Sequence, residues 1–139
     1  MRLSARVDYA VRACVVLATQ QGDGAGEPSG GWTKADDIAA AQAIPAQFLD
    51  TILRDLRRGG LLDSRRGQDG GHRLARPAAQ ITVAEVIRAI DGPLALVRGL
   101  RPENLAYPDS GAAVQQLWLR LRAAEREVLD GTTIADLAP

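Results

Sequence analysis

The chain has 139 residues, of which 46% are hydrophobic and 24% are charged, and this composition is typical of one globular domain with at most one appended element. Its 17 basic and 17 acidic side chains give a formal net charge of zero, which argues against a protein that coats nucleic acid nonspecifically. With one cysteine and one histidine, the sequence excludes a structural zinc site, which needs about four such ligands.

The first predicted helix spans residues 3–20, because apolar side chains recur there at spacings of three and four. Gly, Pro and Ser are frequent in residues 22–31, which predicts a flexible loop. The charges of Arg6, Asp8 and Arg12 in the first helix argue against a signal peptide. The sequence also contains no run of about 18 apolar residues, as a membrane span requires, so we expect a cytoplasmic protein without a membrane partner.

Two further helices are predicted around a short turn. The first begins at Thr33, which approximates a capping box with Asp36, and runs to about Ala41. Pro45 suits the first position of the next helix, which runs to about Arg58 before two glycines end it. The buried face of this helix is predicted to contain Phe48, Leu49, Ile52, Leu53 and Leu56.

A β-hairpin is predicted directly after these helices. Residues 61–66 and 72–76 are short strand-like runs around an Asp-Gly turn. Residues 54–76 contain seven arginines against three aspartates, a net charge of +4 in a chain that is neutral as a whole. A local basic patch of this kind is typical of a phosphate-binding surface, although a solvated face paired with aspartates is the alternative.

The C-terminal part is predicted to form two helices separated by a loop. Thr82 and Glu85 form a capping box for the first helix, and Gly92-Pro93 ends it. Residues 94–110 are loop-like, and a long helix follows over about residues 112–130. Its apolar stripe alternates spacings of three and four, as in a coiled coil, and we favour pairing with a second copy over packing on the chain's own core. The predicted dimerisation residues are Val114, Leu117, Trp118, Leu121, Ala124 and Val128.

The order of elements predicts a mainly α fold with a small β-hairpin, a winged helix-turn-helix followed by a long C-terminal dimerisation helix. Residues 1–80 are expected to form the DNA-binding domain, and residues 81–139 the linker helix, loop and dimerisation helix. The N-terminal residues of the second helix of a helix-turn-helix lie nearest the bases, and arginines on its later turns suit phosphates. An arginine beside a glycine at the wing tip suits a narrow minor groove. The predicted DNA contacts are Lys34, Gln47, Phe48, Asp50, Thr51, Arg54, Arg57, Arg65, Arg66 and Gly67.

Several segments spread over nearly the whole chain form a recognisable pattern. The most specific is SRRG followed by GGHRLARP in the predicted wing. Further segments are residues 1–4, 8–13, 44–45, 48–49, 52–53, 56–57, 60–62, 81–82, 86–94 and 133–137. In these segments the chain resembles the Rrf-two family of winged-helix regulators. The resemblance implies a homodimeric repressor or activator, with the repressor favoured, whose long C-terminal helix crosses that of its partner. It places Gln47, Phe48, Asp50 and Thr51 in the major groove and Arg66 with Gly67 in the minor groove. A twofold dimer then implies a palindromic operator with half-sites about 34 Å apart.

The chain departs from the family's sensor members, which hold an iron–sulfur cluster with three cysteines after the segment that matches Gly92-Pro93-Leu94. This chain has no cysteine there, so no iron–sulfur cluster and no metal is expected. Asp8 lies where some members supply a carboxylate ligand, and we interpret it as a solvated or paired helix residue. Cys14 is interpreted as a core residue, with a cluster-free thiol redox sensor as the alternative.

Three further hypotheses concern input and function class. A small-molecule or oxidant effector is a candidate partner, with a pocket near residues 94–110 lined by Trp118, Tyr107, Arg98 and Arg101, although a plain surface loop is the favoured interpretation. A protein-interaction module that has lost DNA binding is a second alternative. An enzyme is not expected, because the only histidine, His72, lies in a Gly-rich hairpin and no phosphate-binding loop is present.

Overall fold

The structure is a computed structural model that describes residues 2–21 and 31–139. Over these residues, helices alternate with short loops around one two-stranded antiparallel hairpin. The helices are α1 (Ala5–Gln21), α2 (Ala35–Gln42), α3 (Ala46–Arg58), α4 (Val83–Asp91), α5 (Ala112–Asp130) and α6 (Ile134–Leu137), and the strands are β1 (Leu62–Arg65) and β2 (Gly71–Leu74). The mainly α winged helix-turn-helix predicted from the sequence is confirmed.

The core lies where α1 meets α2, α3 and β2. Leu17, Ile38, Ile52 and Leu56 are fully buried there, and Leu74 of β2 closes the cluster. These residues are the inward positions of the helical periodicity, and their burial supplies the apolar free energy that holds the three helices together. The wing is therefore attached to the same core that positions α3.

Helix α4 and the C-terminal helix α6 complete this core. The Ile134 N–H donates to the Ile81 carbonyl at 2.9 Å, and the Val83 N–H donates to the Thr132 carbonyl at 2.9 Å. Ile81 and Ile134 are both fully buried in the main cluster. The end of the chain thus returns from α5 and packs beside α1 and the start of α4.

Helix α5 is different, because within its 19 described residues no side chain is buried. It packs along one side on α4 and on the 3-10 turns at Pro102–Asn104 and Asp109–Gly111. The Gln115 amide donates to the Pro102 and Leu105 carbonyls at 3.0 and 2.8 Å, which attaches the preceding loop to the helix. None of the described helices is long and apolar enough to cross a membrane.

Two expectations about element boundaries were wrong. Thr33 does not cap α2, which follows Lys34 without a side-chain cap. Instead, the backbone N–H and carbonyl of Thr33 pair with His72 at 2.9 and 2.8 Å, so Thr33 extends the wing sheet. Pro45 precedes α3 as its N-cap instead of occupying its first turn. The loop predicted at residues 22–31 lies outside the described residues except for Gly31.

Candidate nucleic-acid interface

The turn between α2 and α3 is three residues long and is fixed by the backbone. Ala43 adopts a left-handed conformation with φ 52°, which reverses the chain at the end of α2. The N–H of buried Ile44 then donates to the Ala39 carbonyl at 3.0 Å. The Pro45 carbonyl accepts from the Leu49 N–H at 3.1 Å and starts α3. This geometry presents α3 as the second helix of a helix-turn-helix.

Helix α3 has one buried and one exposed face. Its inward residues are Leu49, Ile52, Leu53 and Leu56, and the Arg6 guanidinium contacts the Asp55 carboxylate at 2.5 Å to join α1 to α3. Its exposed residues include Gln47, Phe48, Asp50, Arg54, Arg57 and Arg58. The ring of Phe48 lies 6.1 Å from that of Tyr9 and stays 41% exposed, so the prediction that Phe48 lies on the buried face is wrong. The half-buried Thr51 donates its hydroxyl hydrogen to the Phe48 carbonyl at 3.0 Å.

The wing is anchored to the start of α2 by close backbone contacts. Gly71 has φ 147°, and a β-carbon there would lie 2.5 Å from the Thr33 carbonyl oxygen, so only glycine permits this pairing. Gly67 at the wing tip has φ 101°. The Lys34 ammonium donates to the Gly67 carbonyl at 2.6 Å, which holds the tip against α2. Lys34 therefore supports the wing as well as adding positive charge.

Two of the seven arginines in residues 54–76 contact other side chains of the protein, and five have no ion pair with a described residue. The Arg73 guanidinium lies 4.3 Å from the centre of the Trp32 ring and 3.9 Å from the Asp63 carboxylate. The Arg76 guanidinium contacts the Glu85 carboxylate at 2.8 Å. Both arginines thus serve the internal structure. Arg54, Arg57, Arg58, Arg65 and Arg66 are exposed and have no ion pair with a described residue.

A cleft of about 490 Å³ lies between the start of α2, α3 and the wing. It brings together four predicted DNA contacts, namely Lys34, Arg57, Arg65 and Arg66. A smaller recess of about 170 Å³ adjoins it and contains Asp50, Arg54 and Arg57. Gln47, Phe48, Thr51 and Gly67 do not line either space. With Asp36 as the one acidic residue among the described ones that line the larger cleft, its four cationic side chains leave an excess of positive charge on a concave surface, which suits phosphate binding.

Ser64 and His72 line both spaces but are absent from the predicted contacts. They face each other across the hairpin, with the Ser64 hydroxyl 2.8 Å from His72 Nδ1. Burial lowers the pKa of His72, Arg57 lowers it further, and Asp50 partly opposes the shift. His72 is therefore neutral at physiological pH. The strands are joined by residues 66–70, where the Gly70 N–H donates to the Gly67 carbonyl at 3.1 Å, so the turn is centred on Gln68-Asp69 and not on the predicted Asp-Gly pair. The two strand-like runs of the predicted hairpin were the signal that could have found Ser64 and His72.

The residues discussed as redox or metal-binding candidates lie elsewhere. Cys14 is fully buried in the core, and this burial raises the pKa of its thiol to about 12. The Asp8 carboxylate contacts the Arg12 guanidinium one turn later at 3.0 Å, as expected for a paired helix residue. Among the described residues, no group of three or more His, Cys, Asp or Glu side chains is placed to hold a metal ion.

The predicted dimerisation stripe is exposed in the single chain. Val114, Leu117, Leu121 and Val128 are between 40% and 64% exposed. Ala124 is also exposed, whereas Trp118 is half-buried. The stripe continues into an apolar groove of about 440 Å³ between the N-terminus, α4 and α5.

The predicted effector pocket has different walls from those expected. A pocket of about 200 Å³ adjoins residues 92–94, and of the four expected residues only Arg101 lines it. Arg98 instead lies with its guanidinium 5.9 Å from the centre of the Tyr107 ring. The other charged walls are Arg88, Arg122 and Arg126. Two of these belong to α5, from which only Trp118 was expected to line the pocket.

Comparison with known proteins gives a consistent picture. A family model described as Rrf2, iron-dependent transcriptional regulator, matches residues 3–139. An HTH-type transcriptional regulator of Mycobacterium tuberculosis H37Rv is 49% identical over 138 residues, which cover 99% of this chain and 81% of that protein. The HTH-type regulator CymR of Bacillus subtilis is 33% identical and is matched over 99% of this chain and 90% of its own length.

Solved structures show the same fold. The structure of CymR, described as the global cysteine regulator of B. subtilis, has a TM-score of 0.80 at 31% identity and covers 99% of this chain and 96% of that one. The structure of T. potens IscR has a TM-score of 0.76 at 28% identity, and the match covers 99% of this chain and 85% of that one.

Proposed function

The chain belongs to the Rrf2 family of transcriptional regulators, and on this premise we propose that it represses transcription as a homodimer bound to a palindromic DNA operator. It is a DNA-binding regulator and not an enzyme. The homodimer, the repression, the form of the operator and the residues that contact it are our proposal.

The observation that carries this proposal is the cationic cleft between α3 and the wing. Lys34, Arg57, Arg65 and Arg66 line it together, although they come from three separate elements. When a helix lies in the major groove and a wing in the adjacent minor groove, the phosphate backbone runs between them. Positive side chains on both the helix and the wing can then contact the phosphates. Gln47 and Asp50, at the exposed start of α3, are then the candidates for base contacts, because amide and carboxylate groups recognise base edges.

The homodimer is supported by α5. An exposed apolar stripe along a 19-residue helix is costly in water, and a second copy of the same stripe would cover it. The adjoining groove, lined in part by Leu3, Ile87 and Leu94, would receive part of the partner helix. Two winged helices related by a twofold axis would then meet half-sites about 34 Å apart.

We also propose that the protein works without an iron–sulfur cluster, although its family is described as iron-dependent. The donor set does not fit a cluster, which requires several thiolates, because the chain has one cysteine. That residue, Cys14, is enclosed in the core. The same burial disfavours the alternative of a thiol sensor, since a protonated and inaccessible thiol is inert.

The proposal is tested by selecting genomic DNA fragments with the purified, reduced protein at about 0.15 M salt and by measuring affinity for the enriched sequence. We expect a palindrome, and affinity that falls steeply with salt because bound arginines release counterions. Arg66→Ala should cost about 1–3 kcal/mol of binding free energy. Arg120→Ala removes the same charge from exposed α5 and should have little effect.

Repression is then measured by transcription in vitro from a promoter that carries the selected palindrome. Added protein should reduce the transcript, and Arg66→Ala should require a higher concentration for the same reduction. Failure to enrich any sequence, with or without cell extract, would instead favour the protein-interaction module. Equal DNA binding by the parent and Arg66→Ala would show that the wing does not contact DNA.

A further inference from the structure

Four arginines converge on the pocket beside residues 92–94. They are Arg88 of α4, Arg101 of the following loop, and Arg122 and Arg126 of α5. The remaining walls are Gly92, Pro93 and Leu94, so no acidic side chain lines the pocket itself. Four guanidinium groups around one cavity repel one another unless negative charge lies nearby.

The internal ion pairs neutralise half of this charge. Arg88 forms two hydrogen bonds with the Asp130 carboxylate at 3.3 and 3.4 Å, and Arg122 pairs with Glu103. A hydrogen bond from the backbone of Glu103 to its own carboxylate lowers the pKa of this group, and the hydrogen bond from Arg122 lowers it further. The carboxylate is therefore ionised at neutral pH. Among the described residues, neither the Arg101 nor the Arg126 side chain has a hydrogen bond or ion pair. Arg101 still contributes, at longer range, to the lowered pKa of Glu103. Within residues 2–21 and 31–139, the pocket therefore keeps two guanidinium groups that no carboxylate pairs directly.

The size of the pocket limits what it can hold. Its volume of about 200 Å³ corresponds to the liquid volume of about seven water molecules and is below the range of about 300–1,000 Å³ for drug-sized ligands. A planar guanidinium binds carboxylate or phosphate oxygens through two parallel hydrogen bonds. The chemistry therefore suits a small anion with two or more negative charges.

The pocket also joins the DNA-binding unit to α5. Arg88 lies on α4, which packs against α3. The contact is close, because a β-carbon added at Gly59 at the end of α3 would lie 3.0 Å from the Ala89 β-carbon. An anion held by Arg101 and Arg126 and in contact with the bounding Arg88 would thus connect the helix behind the recognition helix with the proposed dimer helix.

We propose that this pocket is a binding site for a small multivalent carboxylate or phosphate anion, held chiefly by Arg101 and Arg126 and bounded by Arg88 and Arg122. Its role as an effector site rests on the proposed function, whereas anion binding itself does not. The occupant would replace the missing counterions and tie α4 to α5.

The test measures the unfolding temperature of the full chain with 20 mM succinate or 20 mM inorganic phosphate, against sodium chloride at equal ionic strength. An anion concentration ten times Kd should raise the unfolding temperature by about 5 °C. The double variant Arg101→Gln, Arg126→Gln should lose the rise, and Arg120→Gln, with a charge removed elsewhere on α5, should keep it. The single variants Arg101→Gln and Arg126→Gln serve if the double variant does not fold.

A rise with succinate alone would assign a carboxylate ligand, and a rise with phosphate alone a phosphate ligand. The absence of a rise with either anion, or a rise that persists in the double variant, would overturn the proposal. A double variant that changes oligomeric state while the parent shows no rise would assign the arginines to contacts with a second copy instead, and would also overturn it. Because no DNA is present, the result is independent of whether the protein binds an operator.

Discussion

Burial determines the chemistry of the single cysteine. Cys14 lies on the inward face of α1, and the loss of solvent around its thiol raises the pKa to about 12. A thiolate is the reactive form in both oxidation and alkylation, and this form is scarce at neutral pH. The position thus behaves as a small apolar core residue, whatever oxidants the cell contains.

We therefore predict that native Cys14 resists a colourless aromatic disulfide reagent at pH 7.5 and reacts with it only at the rate of global unfolding. The measurement is the absorbance of the released thiol with and without denaturant, and the denatured chain serves as the positive control. Reaction within seconds in the native state would restore the thiol-sensor hypothesis. Loss of operator affinity on oxidation would do the same.

At the scale of elements, the sequence predicted the structure correctly where the interacting residues are close in sequence. The Thr82–Glu85 capping box was predicted and is present, and the long helix was predicted at the bounds observed for α5. Thr33 was misassigned because its partner, His72, is in the distant wing. Helix α6 was missed because four residues give too short a pattern, and its hydrogen bond to Ile81 depends on the tertiary fold.

The candidate site shows the same division. A local sequence pattern identified the basic segment and the two elements that carry it. The predicted DNA contacts left out Arg73 and Arg76, but the sequence did not show that both have internal partners. The partners Trp32 and Glu85 lie outside the basic segment. Pocket walls were equally unpredictable, since the four arginines of the anion pocket come together only when α4 packs on α5.

The ionisation of Glu85 at the start of α4 should make the stability of the protein depend on pH. Burial raises the pKa of Glu85, but hydrogen bonds from the Thr82 N–H and Arg76 outweigh this effect and lower it below the usual value of 4.5. The stabilisation is therefore complete above about pH 4.5 and is lost as the pH falls through the lowered folded-state pKa. Because glutamine can still accept the hydrogen bond from the Thr82 N–H, Glu85→Gln should remove chiefly the ion pair with Arg76 and cost about 0.5 kcal/mol of unfolding free energy at pH 7.

This difference from the parent should shrink as the pH falls below 4.5, because the parent carboxylate is then protonated as well. Urea unfolding at pH 7 and at pH 3.5 measures both values. Glu127→Gln, on exposed α5, removes the same charge and is the matched control. A destabilisation that is equal at both pH values would assign the effect to side-chain packing and not to the ionised capping box.

At the scale of the whole molecule, one helix is left without a core of its own. The described part of the chain packs α1–α4 and α6 around one cluster, while α5 extends along α4 with its apolar stripe in solvent. The cleft between α3 and the wing and the stripe on α5 are separate surfaces. Substitutions on one should therefore leave the fold of the other intact, which allows DNA contact and self-association to be tested independently.

We predict that Leu121→Glu converts the dimer to a monomer, because a buried unpaired carboxylate at the helix pair would cost several kcal/mol. Leu121 is 40% exposed in the single chain, so the substitution should leave the monomer folded. Light scattering after size-exclusion chromatography gives the mass, and circular dichroism confirms the helix content. Gln116→Glu introduces the same charge at an exposed position outside the stripe and should remain dimeric.

Since one winged helix reaches one half-site, the monomer should bind the full palindrome and an isolated half-site with similar affinity, whereas the parent should prefer the palindrome. A parent that is monomeric, or a Leu121→Glu variant that keeps the parent's mass, would place self-association on another surface or exclude it.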